Sequence, residues 1–205
     1  MNNLAIAYAS AGKLVEAMPL FEKTLELRKA TLGPEHTDTL KSMGNLAEVY
    51  LLTDQPDKAL PLLEQFITGR RAGASSDDPT FSNLLAEVSL GLLQHRQYPA
   101  AETYLRECLT IREKKLPDDW VLFNTKSMLG GALAGQKKFQ EAEPLLLEGY
   151  SGMKDRPAKI PPAAKTRLGE AIRRLVDLYT AWDRPEEAEK WRKKLEESQE
   201  PKQEP

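Results

Sequence analysis

The ten residues YLLTDQPDKA at positions 50–59 decide the fold, because the same pattern returns four more times along the chain. The other copies are YASAGKLVEA (8–17), LLQHRQYPAA (92–101), LAGQKKFQEA (133–142) and YTAWDRPEEA (179–188), and all five end in alanine. The closing alanines, at positions 17, 59, 101, 142 and 188, are separated by 42, 42, 41 and 46 residues. A period this nearly constant is the sequence signature of a repeat protein.

Each ten-residue block is predicted to hold the turn between two amphipathic helices. In the second repeat, apolar residues recur at helical spacing before the block, as at Met43 and Leu46, and after it, as at Leu62 and Phe66. Turn-forming residues at 54–56 separate the two runs. No strand pattern is found, so the sequence predicts an all-α fold of ten helices in five hairpins. The closing alanine is predicted to lie where the two helices of a hairpin cross too closely for a larger side chain.

The composition excludes several classes of function. The 205 residues include 29 Lys and Arg against 31 Asp and Glu, and a net charge of -2 offers no surplus of cations to a nucleic acid. A single cysteine cannot form an intrachain disulfide. No run of apolar residues is long enough to span a membrane, and the first residues lack the features of a secretion signal. We therefore expect a cytoplasmic protein that binds neither nucleic acid nor membrane.

No motif indicates catalysis, a metal ion or another cofactor. Cys108, His36 and His95 follow none of the spacings of metal sites, and the pattern places Cys108 on the interior side of a second helix as an inert buried thiol. The stretch 130–135 has glycine at 130, 131 and 135, but it lies in mid-helix without the strand that a phosphate-binding loop requires. Close packing of helices is the preferred interpretation of these glycines. The sequence predicts a protein that is not an enzyme and needs no cofactor.

The repeated helix–turn–helix pattern runs from a small residue to a tyrosine, then to the turn and then to the closing alanine. This order resembles the tetratricopeptide repeat. The stretch LGPEHTDTLKSMGNLAEVY at 32–50 is similar to the longer, 42-residue type found in kinesin light chains. The resemblance covers about residues 1–197. It implies a right-handed α-solenoid of about five hairpins, whose first helices line a concave groove that binds a peptide or a protein and does no chemistry. One departure is that the turn glycine of the first repeat, Gly12, is replaced in the later repeats by Asp54, Arg96, Lys137 and Asp183.

The period divides the chain into repeats near residues 1–36, 37–77, 78–117, 118–160 and 161–197, with a polar, disordered tail at 198–205. The segment AGASSD at 72–77 is expected to link the second and third repeats. The segment DRPAKIPP at 155–162 is expected to hold the extra length of the fourth repeat.

The resemblance also assigns residues to the groove. Asparagine is a poor helix former, so four asparagines within first helices call for an explanation, and their amides can both donate to and accept from a peptide main chain. Asn3 and Asn45 occupy equivalent places, and the other two asparagines lie one helical turn earlier in their repeats. The residues expected to point into the groove are Asn3, Lys41, Asn45, Asn83, Glu87, Asn124, Arg173 and Arg174.

The basic members of this set suggest the charge of the ligand. Lys41, Arg173 and Arg174 are expected to hold acidic side chains or a terminal carboxylate of a protein or peptide. The alternative interpretation, that all eight are solvated polar residues on a face typical of the family, is left open by the sequence.

The two ends of the array differ. Residues 4–9 (LAIAYA) are apolar on every side, which is typical of a helix covered by neighbours, whereas the helix after Ala188 keeps only Trp191 and Leu195 as apolar residues. We expect that the chain is the C-terminal part of a longer array, or that a second copy or a covering domain lies on its N-terminal end. A natural start that frays is the third possibility. The alternative function is a C-terminal regulatory or oligomerisation segment of a larger signalling enzyme, a kinase or an NTPase, whose catalytic domain is not in this chain.

Overall fold

The computed structural model describes residues 1–75 and 77–199, and no strand occurs in these two ranges. The chain divides into two compact units, Met1–Phe81 and Ser82–Pro205. The structure confirms the all-α fold of repeated helix–turn–helix hairpins. Its helices are α1 (Asn2–Ser10), α2 (Leu14–Leu32), α3 (Thr37–Leu52), α4 (Pro56–Ala72), α5 (Pro79–Gln94), α6 (Tyr98–Lys115), α7 (Trp120–Gly135), α8 (Phe139–Lys154), α9 (Thr166–Ala181) and α10 (Pro185–Gln199).

Helices pack in the same order within each unit. In the first unit, α2 lies between α1 and α3, and α3 pairs with α4. In the second unit, α7 packs against α6, α8 and α9, and α9 packs against α8 and α10. The first helices α3, α7 and α9 are therefore each covered both by their own partner and by the second helix of the preceding hairpin, as expected for repeats that cannot bury their apolar faces alone.

The closing alanines confirm the prediction that they lie in the hairpin interior. All five are at most 1% exposed, including Ala188 in the final hairpin. A methyl group fills a position where the two helices of a hairpin approach closely, and a larger side chain there would force the helices apart. The apolar residues spaced around these alanines, such as Met43, Leu46 and Leu63, are likewise buried.

All five hairpin turns share one backbone conformation. In the first, Gly12 has a φ of 73°, its amide donates to the Ala9 carbonyl, and the next amide, of Lys13, donates to the Tyr8 carbonyl at 2.9 Å. This pair of hydrogen bonds is the Schellman motif, in which the residue after the helix is left-handed. The same pair recurs in the other turns. The replacements for the turn glycine therefore adopt the glycine conformation, with φ of 56° at Asp54, 57° at Arg96, 62° at Lys137 and 57° at Asp183.

Replacing Lys137 by glycine is expected to stabilise the second unit by about 0.5 kcal/mol. A left-handed conformation costs a residue with a side chain about 1–2 kcal/mol, and the greater freedom of glycine in the unfolded chain offsets part of that gain. The Lys137 side chain is exposed, so little contact is lost. The free energy of unfolding in urea measures the effect. The reverse change, Gly12→Ala, should destabilise the first unit, and a destabilised Lys137→Gly protein would contradict this account of the turn.

The glycines of α7 lie at close approaches, which confirms the packing interpretation of the stretch 130–135. A Cβ added to Gly130 would lie 2.6 Å from the Leu146 Cγ in α8. A Cβ on Gly135 would lie 2.6 Å from the ring of Tyr98, and one on Gly131 would lie 3.0 Å from the Arg174 Cδ in α9. A side chain at Gly130 would therefore push against the backbone of α8, whereas at Gly131 and Gly135 the side chains of Arg174 and Tyr98 would have to move.

The expected linkers lie between helices. The link at 72–77 follows the end of α4, and residue 76 lies outside the described residues. The extra length of the fourth repeat forms two short 3-10 turns, Pro157–Lys159 and Pro162–Ala164. The buried side chain of Ile160 lies between them in the sequence. At the C-terminal end, α10 runs to Gln199, and residues 200–205 of the expected tail lie outside the described residues.

Candidate functional site

The first unit carries three of the eight predicted groove residues. Lys41 and Asn45 are four residues apart in α3, so they share one face of that helix, and the buried Met43 and Leu46 lie on the other. Lys41 is exposed and Asn45 is half-buried. Asn3, at the equivalent place in α1, is exposed. The structure therefore leaves these three polar side chains accessible on first helices.

The second unit carries the other five, and two of them, on α5, are exposed. Glu87 lies one turn after Asn83 on that helix. The Oδ1 atom of Asn83 accepts a hydrogen bond from the Nη2 atom of Arg112 at 2.8 Å. The carbonyl of this amide is thus already engaged by the protein itself.

Asn124 on α7 differs from the other asparagines because it is only 8% exposed. Its Nδ2 atom donates to the Met128 sulfur at 3.5 Å. Its Oδ1 atom is buried and has no hydrogen-bond partner among the described residues. A buried acceptor without a donor costs about 1–3 kcal/mol, and because this oxygen is closed to solvent, the side chain as placed does not offer it to a ligand.

The two arginines on α9 have different surroundings. Arg173 is exposed, whereas Arg174 is half-buried and packs its stem against Gly131 of α7. The Nη1 atom of Arg174 donates to the Ser127 Oγ at 3.2 Å, and its Nη2 atom donates to a carboxylate oxygen of Glu170 at 3.3 Å. Burial lowers the pKa of the Arg174 guanidinium, and the neighbouring Glu170 carboxylate opposes that shift.

Arg112, which the sequence pattern did not single out, is the most buried charged residue among those described. It is 3% exposed, and its guanidinium bonds to neutral groups: the Oγ1 of Thr125 at 2.6 Å, the carbonyl of Val121 at 3.0 Å and the amide oxygen of Asn83. The guanidinium therefore joins α6 to α5 and α7. Burial lowers the pKa of Arg112, as expected for a cation removed from water.

A comparison of equivalent positions, counted from the closing alanine of each repeat, would have revealed this arginine. Arg28 lies eleven residues after its closing alanine, as Arg112 does, and its Nη1 atom donates to the Ser42 Oγ at 2.7 Å and to the Asp38 carbonyl at 2.9 Å. Ser42 and Thr125 both lie seventeen residues before the closing alanine of the following repeat. Arginine in one repeat and a hydroxyl in the next is the signal for a bond between consecutive hairpins.

Two of the residues considered for metals and catalysis, Cys108 and His36, make hydrogen bonds within the protein. Cys108 is fully buried, and burial raises the pKa of its thiol, which donates to the Ser82 carbonyl at 3.2 Å. His36 precedes α3, and its Nδ1 atom accepts a hydrogen bond from the amide of Asp38 at 3.1 Å. Across the described ranges, no group of three or more His, Cys, Asp or Glu is arranged to hold a metal ion. Within those ranges, every helix is also too short or too polar to cross a membrane.

Comparisons with solved structures find the same fold. A single-site variant of a putative kinesin light chain with nearly identical TPR-like repeats, from Podosopora anserina, has a TM-score of 0.76 at 23% identity and covers 97% of this chain and 92% of its own. The form without that substitution gives 0.74 at the same identity and coverage. BtubC (BKLC) from P. vanneervenii gives 0.66 at 17% identity, over 98% of this chain and 82% of its own. At these identities the likeness shows the fold alone.

Sequence comparisons identify the family. No curated protein sequence matches the chain. Two family models described as tetratricopeptide repeat match residues 1–72 and 85–119, and together they cover just over half of the chain. The chain therefore belongs to the tetratricopeptide repeat family, and it shares its fold with repeats of the kinesin-light-chain type.

Proposed function

We propose that this protein is a non-catalytic, cytoplasmic scaffold that binds a peptide or protein segment along the inner face of its first helices. The observation that carries the proposal is the equivalent placement of Asn3 and Asn45 on successive first helices, both with accessible side chains. Proteins of the tetratricopeptide repeat family generally bind protein partners, which supports a ligand of this class. Function then lies in the surface side chains that the repeated fold presents.

The chemistry of this face suits an extended main chain. An asparagine amide donates and accepts at once, so Asn3 and Asn45 can each pair with both polar groups of a ligand peptide unit. Lys41 lies one turn before Asn45 and provides an exposed cation for an acidic ligand side chain. In the second unit, Asn83, Glu87, Asn124, Arg173 and Arg174 are also proposed to contact the ligand. Asn83 would do so through its N–H groups, because its carbonyl is bound by Arg112, and the two arginines would do so as cations.

Substituting Asn3 and Asn45 together by alanine is expected to weaken binding of a captured partner about tenfold. Each alanine removes hydrogen bonds to the ligand that are worth about 0.5–1.5 kcal/mol. The partner is first identified by affinity capture and mass spectrometry, and affinities are then measured by titration. Gln65→Ala is the matched control, because it removes an exposed amide from the second helix α4 of the same unit. An unchanged affinity for the double variant would exclude the proposed groove.

The exposed apolar side chains of Met1 and of α1 favour a second candidate function. Met1 is 61% exposed and Leu4 is 52% exposed, although the equivalent residues of the second repeat, Met43 and Leu46, are buried beneath the preceding helix. We propose that a second copy or a covering domain lies on this end, as in a regulatory or oligomerisation segment of a larger enzyme. Sedimentation equilibrium tests self-association, since a mass that stays at one chain over the concentration series contradicts it.

A further inference from the structure

One face at the N-terminal end of the first unit is apolar and exposed. Met1, Leu4 and Tyr8 are three and four residues apart, so their side chains lie on one side of α1, which we call the end face. Met1 and Leu4 are both more than half exposed, and Tyr8 is half-buried. Helix α1 has no charged side chain that could cover these groups. An exposed apolar group of this kind is typical of a contact surface.

The second repeat shows what covers the same face there. Met43, Leu46 and Tyr50 occupy the equivalent positions of α3, and each is at most 7% exposed. Helix α2 packs against α3, and the Tyr50 hydroxyl donates to a carboxylate oxygen of Glu22 in α2 at 2.6 Å. The covering element in that repeat is thus an amphipathic helix that carries a carboxylate.

The fifth repeat has the same pairing. Tyr179 lies nine residues before its closing alanine, as Tyr50 and Tyr8 do. Its hydroxyl donates to a carboxylate oxygen of Glu143 in the preceding second helix, α8, at 2.8 Å. The Tyr8 hydroxyl, in contrast, has no hydrogen-bond partner among the described residues. In both repeats where a second helix precedes this tyrosine, that helix supplies a glutamate acceptor.

A second copy of this chain fits the end face poorly. Copies stacked end to end would bring α10 onto α1, since α10 is the second helix of the fifth hairpin. Phe21 and Leu25 of the covering helix α2 are buried. The equivalent residues of α10 are Arg192 and Glu196, which are charged and exposed. Two α1 helices placed face to face contain no carboxylate for Tyr8.

We propose that an amphipathic helix of a partner protein docks on the end face and makes there the contact that α2 makes with α3. Its apolar side chains pack on Met1 and Leu4, and a glutamate or aspartate of the helix accepts a hydrogen bond from the Tyr8 hydroxyl. This inference rests on the second candidate function, a covered N-terminal end, and specifies the cover as a helix from another protein. Asn3 lies on a different side of α1, so the contact is independent of binding in the groove.

Helix α2 itself provides the probe for this surface. A fluorescein-labelled peptide of residues 13–32 contains α2 and its glutamate acceptor, and its binding to the full chain is measured by fluorescence anisotropy. The labelled peptide is held at a concentration far below that of the chain. We expect saturable binding. Leu4→Ser in the chain should weaken it about tenfold, because a large apolar contact is lost.

A double-mutant cycle tests the hydrogen bond. Tyr8→Phe in the chain and Glu22→Ala in the peptide should each weaken binding about three- to tenfold. The two changes together should weaken it little further, since both remove the same bond. Glu26→Ala in the peptide is the matched control, because it removes an equal charge from an exposed position one turn along the helix. It should change the affinity less than about twofold.

Two further controls locate the contact. Leu52→Ser changes a leucine that is 50% exposed in the same unit but lies on α3, and it should alter the affinity less than about twofold. A labelled peptide of residues 185–199 contains α10 and should bind about ten times more weakly than the α2 peptide, because charged residues replace its apolar ones. Circular dichroism shows whether each variant of the chain keeps its helices.

The inference is overturned if the α2 peptide shows no saturable binding, or if Leu52→Ser weakens binding as much as Leu4→Ser. It is equally overturned if Tyr8→Phe keeps its helices and binds the peptide with unchanged affinity. A chain that dimerises in sedimentation equilibrium without binding the peptide would keep the second candidate function, with a second copy as the cover, and would exclude the partner helix.

Discussion

Gly149→Ala is expected to destabilise the second unit by about 2–3 kcal/mol, although alanine is the better helix former. A Cβ at Gly149 in α8 would lie 2.6 Å from the backbone nitrogen of Ser127 and 2.7 Å from the carbonyl oxygen of Phe123. Both atoms belong to the main chain of α7, so neither can move without shifting that helix. Overpacking of this kind costs about 1–3 kcal/mol or more and outweighs the gain of about 1 kcal/mol in helix propensity.

Gly169→Ala is the matched control, because it makes the same change in the first turn of α9, where the added methyl group meets no neighbour. A Cβ at Gly169 in α9 meets no atom within 4 Å. It should therefore stabilise the protein by up to about 1 kcal/mol. Urea denaturation monitored by circular dichroism measures both free energies of unfolding. If Gly149→Ala unfolds at the same or a higher urea concentration than the wild-type chain, the close contact of α7 with α8 is disproved.

The sequence predicted the fold well because its strongest signals are local. The closing alanines report a contact within one hairpin, and the turn residues from Gly12 to Asp183 report one backbone conformation, so both are visible in a single repeat. Gly149 was not singled out, because nothing in the spacing of α8 says how closely α7 approaches it. Its importance depends on the two main-chain atoms that it meets in another helix.

The candidate site was predicted less completely, since helical periodicity assigns a residue to a face but not to its neighbours. It placed Asn124 and Asn45 on comparable faces, yet Asn124 is buried and Asn45 is half-buried. The spacing predicted that the Arg174 guanidinium binds a ligand carboxylate, whereas in the structure it already pairs with Glu170. Whether the eight residues bind a ligand stays a prediction. Arg112 was overlooked because helical spacing alone does not show that a charged side chain in a second helix is buried.

Arg112→Ala is expected to destabilise the second unit by about 3 kcal/mol. The side chain is almost completely buried, so its removal leaves a cavity between α6 and α7. It also removes the donor for the Val121 carbonyl and for the Oγ1 of Thr125. Thr125 keeps its bond to the Val121 carbonyl at 2.8 Å, so part of the hydrogen bonding survives. The free energy of unfolding in urea again measures the loss.

Two further variants test whether the cation or the volume of Arg112 stabilises the unit. Arg112→Met keeps most of the stem and spares the protein the cost of burying a cation whose hydrogen bonds, among the described residues, go to neutral groups, so it should cost only about 1 kcal/mol. Arg70→Ala changes the equivalent, exposed arginine of the second repeat and should alter the free energy of unfolding by about 0.5 kcal/mol or less. A loss from Arg112→Met as large as that from Arg112→Ala would show that the bonds of the guanidinium, and not the packing of its stem, join these hairpins.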